Sequence, residues 1–215
     1  LRPTATGWEV SVRLEDGARM RLGADLVVNA AGIWSTSLAW RTEGLDADRI
    51  PKVHLAKGAF FSLAGASPFN RLIVPAPEWH LYGGIYTLDL AHQGRFGPDV
   101  EWVEGVDYTI DPTRAGHVYD AVRRYYPALA DEALAPAYTG VRSRLNGPGE
   151  AMADWIIQGP AEHGLDGLVN LYGVESPGIT ASPAIAEAVE EMLTGVAFEA
   201  VLVGIAKQTK GRTAT

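Results

Sequence analysis

The sequence predicts an α/β protein that carries a β-rich, α+β insertion. Leu26 to Val28 is apolar on both faces, as strands inside parallel sheets commonly are. From about Pro51 to Gly149, short strand candidates separated by proline and glycine indicate an antiparallel or mixed sheet. Apolar strand segments and a long helical pattern then return. An α/β part is therefore expected on each side of the insertion.

The individual elements follow from local patterns. Residues 8–22 alternate apolar and polar positions around a turn, which predicts a β-hairpin with one solvated face. Asp111 and Pro112 are typical of a helix start, and apolar residues at helical spacing follow them. A second helix is expected over residues 185–193, with Gly195 as its C-cap.

Composition excludes several classes of function. The net charge of −8 argues against nucleic-acid binding, which depends on clustered lysine and arginine. The chain contains no cysteine, so disulfides, cysteine-ligated zinc and thiol catalysis are excluded. Its five histidines are scattered without ligand spacing, and no metal site is expected. No apolar run reaches the roughly 18 residues of a transmembrane helix, and a cytoplasmic location is expected.

The stretch from Asn170 to Pro183, NLYGVESPGITASP, passes from an apolar strand through a glycine-flanked turn into a helix start. Such a turn can hold a nucleophile, bind a cofactor or reverse the chain. A nucleophile elbow requires the spacing GxSxG, but Gly173 lies one residue too far before Ser176. The spacing therefore disfavours a serine hydrolase.

The sequence NAAG, residues 29–32, follows the first buried strand. Small residues at the carboxyl end of a strand allow a ligand to approach the backbone, but tight packing of helix on strand explains them equally well. The short-chain dehydrogenase alternative fails, because no lysine has a tyrosine four residues before it. There is also no GxGxxG loop to bind a pyrophosphate, since Gly147-Pro148-Gly149 does not open a helix after a strand.

Six segments in one order resemble a known family. Together they resemble FAD-dependent oxidoreductases of the D-amino-acid-oxidase-like superfamily, in particular the branch of L-2-hydroxyglutarate dehydrogenases and oxidases. The resemblance spans about residues 24–193 and corresponds to the C-terminal two-thirds of such enzymes. The segments are ADLVVNAAGIWS (24–35), KGAFFSL (57–63), TLDLAHQGRFGPDVEWV (87–103), YTGVRSRL (138–145), DWIIQGP (154–160) and LVNLYGVESPGITASPAIAE (168–187).

The resemblance implies a division into domains. Residues 1–50 and 150–195 correspond to parts of a Rossmann-like FAD-binding domain whose N-terminal GxGxxG unit is missing. Residues 51–149 correspond to a substrate domain with an antiparallel or mixed sheet, and residues 196–215 to a C-terminal tail. A truncated FAD domain would expose apolar strand edges, so self-association is also expected.

The resemblance further implies roles for individual residues. Arg142 matches an arginine that clamps the substrate carboxylate, a role suited to the fixed fork of a guanidinium group. Tyr86 and Lys57 are the other candidates for substrate binding. Pro183 would break a helix that had already started at Gly178. The residues expected to contact FAD are Ala31, Gly32, Gly173, Glu175, Ser176, Pro177, Gly178, Ile179 and Thr180.

The implied reaction is the oxidation of a small 2-hydroxy acid, similar to L-2-hydroxyglutarate, with hydride transfer to the flavin. No general base is assigned, because Ile85 stands where the family has histidine. The electron acceptor is not indicated by any motif. Two alternatives remain: an amino-acid oxidase or dehydrogenase, and a non-catalytic, carboxylate-binding remnant without flavin.

Overall fold

The structure, a computed structural model, describes residues 1–76 and 84–195. The tail expected over residues 196–215 lies outside this part. The chain divides into two compact units. The first unit comprises residues 1–53 and the chain from residue 143 onward, and the second unit comprises residues 54–142.

The first unit begins with a three-stranded antiparallel sheet. Its strands are β1 (Arg2–Thr4), β2 (Gly7–Arg13) and β3 (Arg19–Ala24), in the order β1-β2-β3. The predicted hairpin is confirmed as the β2–β3 pair, with Val10 opposite Leu22. Trp8 is buried, and its indole N–H donates to the carbonyl oxygen of Asp166 at 3.0 Å. This bond ties the hairpin to the later part of the same unit.

A second sheet of the first unit is mixed. It has the order β4-β10-β9, from β4 (Val27–Asn29), β9 (Ile156–Gln158) and β10 (Leu168–Tyr172). Strands β4 and β10 are parallel, as the apolar pattern predicted, and β10 and β9 are antiparallel. Within the described residues β4 is an edge strand rather than an interior one, because only β10 pairs with it. Val28 is accordingly 44% exposed.

The α-helices of the first unit, within the described residues, are α1 (Ser35–Ala39), α3 (Pro160–His163) and α4 (Gly178–Thr194). Helix α4 ends at Gly195 with a φ of 68°, which confirms the predicted C-cap.

The expectation that Pro183 would break a helix starting at Gly178 is wrong, since α4 continues through it. Proline cannot donate to the Ile179 carbonyl, but the hydroxyl of Ser182 donates to it at 2.8 Å instead.

Residues 54–76 and 84–142, the described part of the second unit, contain a four-stranded sheet and one α-helix. The strands β5 (His54–Leu63), β6 (Ile85–Leu88), β7 (Gly94–Val103) and β8 (Leu134–Arg144) have the order β6-β7-β5-β8. Both β5 and β6 pair antiparallel with β7, as expected for the insertion. The strand predicted over residues 71–74 does not form, and only Ile73 bridges to Tyr86.

Helix α2 (Ala115–Val122) follows a short 3-10 helix that Asp111 caps by accepting the Thr113 N–H at 2.9 Å. The predicted start is therefore confirmed. The apolar face of α2 packs on the sheet through Val118 and Val122, which are fully buried. None of the described helices is long and apolar enough to cross a membrane. The core of the unit consists of Ala59, Phe61, Leu63, Tyr86, Phe96, Val118, Val122, Leu129 and Leu134.

Candidate functional site

The ends of β4 and β10 form the candidate cofactor site in the first unit. Because the two strands are parallel, their carboxyl ends lie at the same edge of the sheet, where open α/β sheets bind ligands. Asn29 ends β4 and leads into Ala30-Ala31-Gly32, while Tyr172 ends β10 and leads into Gly173. The structure thus brings two sets of predicted cofactor residues to one edge.

The turn after β4 leaves its backbone accessible. Ala31 and Gly32 are exposed. Gly32 has a φ of +56°, and a Cβ added to it would meet no atom within 4 Å. This backbone is therefore open enough for a ligand to approach closely.

The turn after β10 is packed more tightly. Gly173 is buried with a φ of +70°, and a Cβ added there would lie 2.6 Å from Cγ of Leu145. A Cβ on Gly178 would lie 2.9 Å from Cγ1 of Val174. A side chain at Gly173 would therefore force Leu145 to move, and one at Gly178 would force Val174 to move.

Alanine at Gly173 is expected to destabilise the first unit more than alanine at Gly32. Both substitutions place a Cβ on a left-handed residue, which costs about 1–2 kcal/mol. Only Gly173→Ala also forces Leu145 to move, which adds about 1–3 kcal/mol of overpacking. Chemical unfolding of the two variants measures the difference, and equal midpoints would contradict the packing argument.

The side chain of Glu175 is held by Arg144. Arg144 Nε donates to Glu175 Oε1 at 2.8 Å, and the two side chains are only 15% and 14% exposed. This ion pair anchors the turn, so the Glu175 carboxylate has a structural partner. Ser176, Pro177, Ile179 and Thr180 are exposed, and Gly178 is half-buried. Their contact with FAD stays a prediction.

Three residues at this edge were not among the predicted site residues: Asn29, Asn170 and Arg144. The two asparagines are buried, and each is the only polar residue of an apolar strand segment, in VVN and in LVNLY. That repeated pattern was the available signal. For Arg144 the signal was its period-two spacing from Arg142, which places both arginines on one face of β8.

Two of the predicted substrate residues, Tyr86 and Lys57, are buried in the second unit. The Tyr86 ring lies in the core, and its hydroxyl contacts the Ser67 hydroxyl. Lys57 Nζ lies 2.7 Å from Glu101 Oε1 and 3.2 Å from Asp107 Oδ2, and it donates to the Thr109 carbonyl oxygen at 2.9 Å. These contacts give both residues structural roles, and substrate binding by either remains a prediction.

Lys57 and its two carboxylate partners, Glu101 and Asp107, form the Lys57 cluster. The pKa values of Lys57 and Asp107 are shifted. The hydrogen bond to Glu101 raises the pKa of Lys57, against desolvation, with further support from Asp107. The backbone and side-chain hydrogen bonds of Thr109, followed by that of Lys57, lower the pKa of Asp107 to about 2. Lys57 and Asp107 are therefore both charged at neutral pH.

Asp107 is expected to contribute a stabilisation that disappears in acid. Its folded pKa is below the ordinary value of 3.8, so the contribution is present above that value and is lost as the pH falls toward about 2. Urea unfolding of Asp107→Asn and of the unchanged protein should differ at neutral pH and converge near pH 2. A gap that persists unchanged at the acid end would refute this assignment.

Arg142 is half-buried on β8. No group of three histidine, aspartate or glutamate side chains within residues 1–76 and 84–195 is arranged to hold a metal ion.

Comparison with known proteins identifies a family for this chain. The sequence pattern of the FAD dependent oxidoreductase family matches residues 1–192. The chain belongs to this family. FAD is the family's cofactor, which confirms the cofactor prediction at that level.

One relative is the mitochondrial L-2-hydroxyglutarate dehydrogenase of Arabidopsis thaliana. It is 46% identical over 187 residues, which are 81% of this chain and 39% of the relative. This chain therefore spans about two fifths of the relative's length, less than the two-thirds expected from the sequence.

Solved structures show the same fold. L-α-glycerophosphate oxidase from Mycoplasma pneumoniae, with FAD bound, has a TM-score of 0.63 and 21% identity, over 85% of this chain and 48% of that one. Glycine oxidase from Geobacillus kaustophilus has a TM-score of 0.60 and 17% identity, over 85% and 44%. These likenesses confirm the predicted fold class.

Proposed function

We propose that this chain is part of an FAD-dependent dehydrogenase that oxidises a small 2-hydroxy acid of the L-2-hydroxyglutarate type. The observation that carries the proposal is the 46% identity with L-2-hydroxyglutarate dehydrogenase. At this identity the oxidised group, a secondary alcohol beside a carboxylate, is the best-supported substrate chemistry.

The residues at the strand ends fit a dinucleotide cofactor. The open backbone at Gly32 admits a ligand, and the packed turn at Gly173 presents a fixed surface next to it on the same sheet edge. Ala31, Gly32 and the turn from Gly173 to Thr180 would hold FAD. When bound, FAD supplies the acceptor for a hydride from the substrate carbon.

Arg142 is the proposed ligand of the substrate carboxylate. It is half-buried on β8, where desolvation strengthens a hydrogen-bonded ion pair. The planar guanidinium group can donate two parallel hydrogen bonds to one carboxylate. Arg142 would thus orient the acid, whose hydroxyl must lose a proton as the hydride leaves.

Flavin spectroscopy tests the proposal. The purified chain, mixed with FAD and desalted, should retain absorbance near about 450 nm. Under anaerobic conditions L-2-hydroxyglutarate should bleach this band, while the D-enantiomer and L-glutamate should not. Loss of all flavin on desalting would favour a carboxylate-binding module, and bleaching by L-glutamate would favour an amino-acid oxidase. Either result would overturn the proposal.

Three further points belong to this proposal. The name of the Arabidopsis relative places that protein in mitochondria, so a cytoplasmic location for this chain remains a prediction.

The electron acceptor is open to assay with oxygen and with quinones. Light scattering tests the predicted self-association through the edge strand β4, and a sharp monomer peak would count against it.

A further inference from the structure

A buried pair of asparagines joins the two strands at the candidate cofactor site. Asn29 and Asn170 face each other in the register of β4 and β10 and are 1% and 0% exposed. Asn29 Nδ2 donates to Asn170 Oδ1 at 2.9 Å. Burying an amide side chain costs free energy unless the amide is hydrogen-bonded. The bond between the two amides therefore offsets part of the cost of burying them.

The direction of this hydrogen bond is determined by the backbone. Asn29 Nδ2 also donates to the carbonyl oxygen of Ser35 at 2.8 Å, which fixes the orientation of the Asn29 amide. Asn170 must then turn its Oδ1 toward Asn29, because its NH2 group would place one donor opposite another donor, Nδ2 of Asn29. Nδ2 of Asn170 is left buried without a hydrogen-bond partner.

The pair also connects both turns of the site. Asn29 Oδ1 accepts the N–H of Ala31 at 3.4 Å, and its bond to Ser35 reaches the start of α1, so its amide spans the turn that contains Gly32. Asn170 lies three residues before Gly173 on the buried strand β10. The hydrogen bonds of Asn29 therefore tie the Gly32 turn to β10, the strand that leads into the Gly173 turn.

We propose that Asn29 and Asn170 are positioning residues, which set the spacing between the Gly32 turn and the Gly173 turn for the cofactor. The cofactor part of this inference rests on the proposed function. The mechanical part, the link between the Gly32 turn and strand β10, stands on the hydrogen bonds of Asn29 alone.

The cofactor part is tested by FAD affinity with a matched control. Asn170→Leu removes the acceptor at nearly constant volume, whereas Val169→Ala removes buried volume at the adjacent, fully buried position of β10. Fluorescence titration should show the Kd for FAD rising about tenfold or more in Asn170→Leu, as expected for the loss of a buried hydrogen bond. In Val169→Ala it should change less than about twofold. Equal changes would overturn the positioning role.

Hydrogen exchange tests the coupling without FAD. In Asn170→Leu the amides of residues 31–35, in the turn after β4 and at the start of α1, should exchange about tenfold faster than in Val169→Ala. Asn170→Asp keeps an acceptor for Asn29 and should leave their exchange near that of the unchanged protein, which also covers the case in which Asn170→Leu does not fold. If the exchange rates of the amides of residues 31–35 change only in proportion to the overall stability of the three variants, the coupling is overturned. Failure of the unchanged protein to bind FAD would overturn the proposed function and the cofactor part, while the exchange result still decides the coupling.

Discussion

Replacing Lys57 with methionine is expected to lower the free energy of unfolding of the second unit by about 1.5–3 kcal/mol, the usual size of a hydrogen bond between charged groups, because Glu101 and Asp107, whose side chains are 27% and 51% exposed, lose a buried partner. Lys57 is 6% exposed and lies between Glu101 and Asp107. Glu101 keeps a longer contact with Arg114, at 3.5 Å, which moderates but does not replace the lost partner.

Amide exchange in β5 and β7, combined with urea unfolding, measures the Lys57→Met effect in the unit concerned. Lys52→Met is the control, since Lys52 is exposed and its replacement should change stability by less than about 0.5 kcal/mol. If the two variants unfold at the same urea concentration, the Lys57 cluster does not stabilise the second unit.

Replacing Arg142 with leucine is expected to reduce kcat/KM for the 2-hydroxy acid by about 100- to 20,000-fold. Two charge-assisted hydrogen bonds of about 1.5–3 kcal/mol each would be lost. Arg142→Lys keeps the charge but loses the fork, so an intermediate loss is expected. The rate of anaerobic flavin reduction against substrate concentration is the measurement.

The flavin spectrum distinguishes the loss of the carboxylate-binding arginine from the loss of folded structure. Arg142→Leu should retain FAD as the unchanged protein does, because Arg142 belongs to the second unit and the FAD candidates belong to the first. Arg71→Leu, at an exposed arginine of the second unit, is the matched control and should keep its rate. If the kinetics of Arg142→Leu are unchanged, Arg142 does not bind the substrate.

Local signals predicted much of the fold. The hairpin followed from strict alternation, the start of α2 from Asp111-Pro112, and the end of α4 from Gly195. These features depend on residues close in sequence, whose backbone preferences act before any tertiary contact forms.

Other predictions failed where distant or neighbouring partners changed the outcome. Pro183 is tolerated because the Ser182 hydroxyl bonds the Ile179 carbonyl that proline leaves without its usual donor. The segment 71–74 has strand-like residues but forms only one bridge, since a strand requires a partner of matching register. Lys57 remains a candidate for substrate binding, and the tertiary structure adds that Glu101 and Asp107, from elsewhere in the second unit, bind its ammonium group.

The sequence by itself determined the family, the α/β character with its β-rich insertion, and the identity of the two turns expected to bind FAD. These properties follow from local patterns and from motifs that occur in a fixed order along the chain. Only the tertiary structure decided that both turns leave one edge of a parallel strand pair, and that Asn29 and Asn170 join them. The two asparagines are 141 residues apart, and the direction of their hydrogen bond depends on the main-chain carbonyl of Ser35, so no local pattern could reveal it.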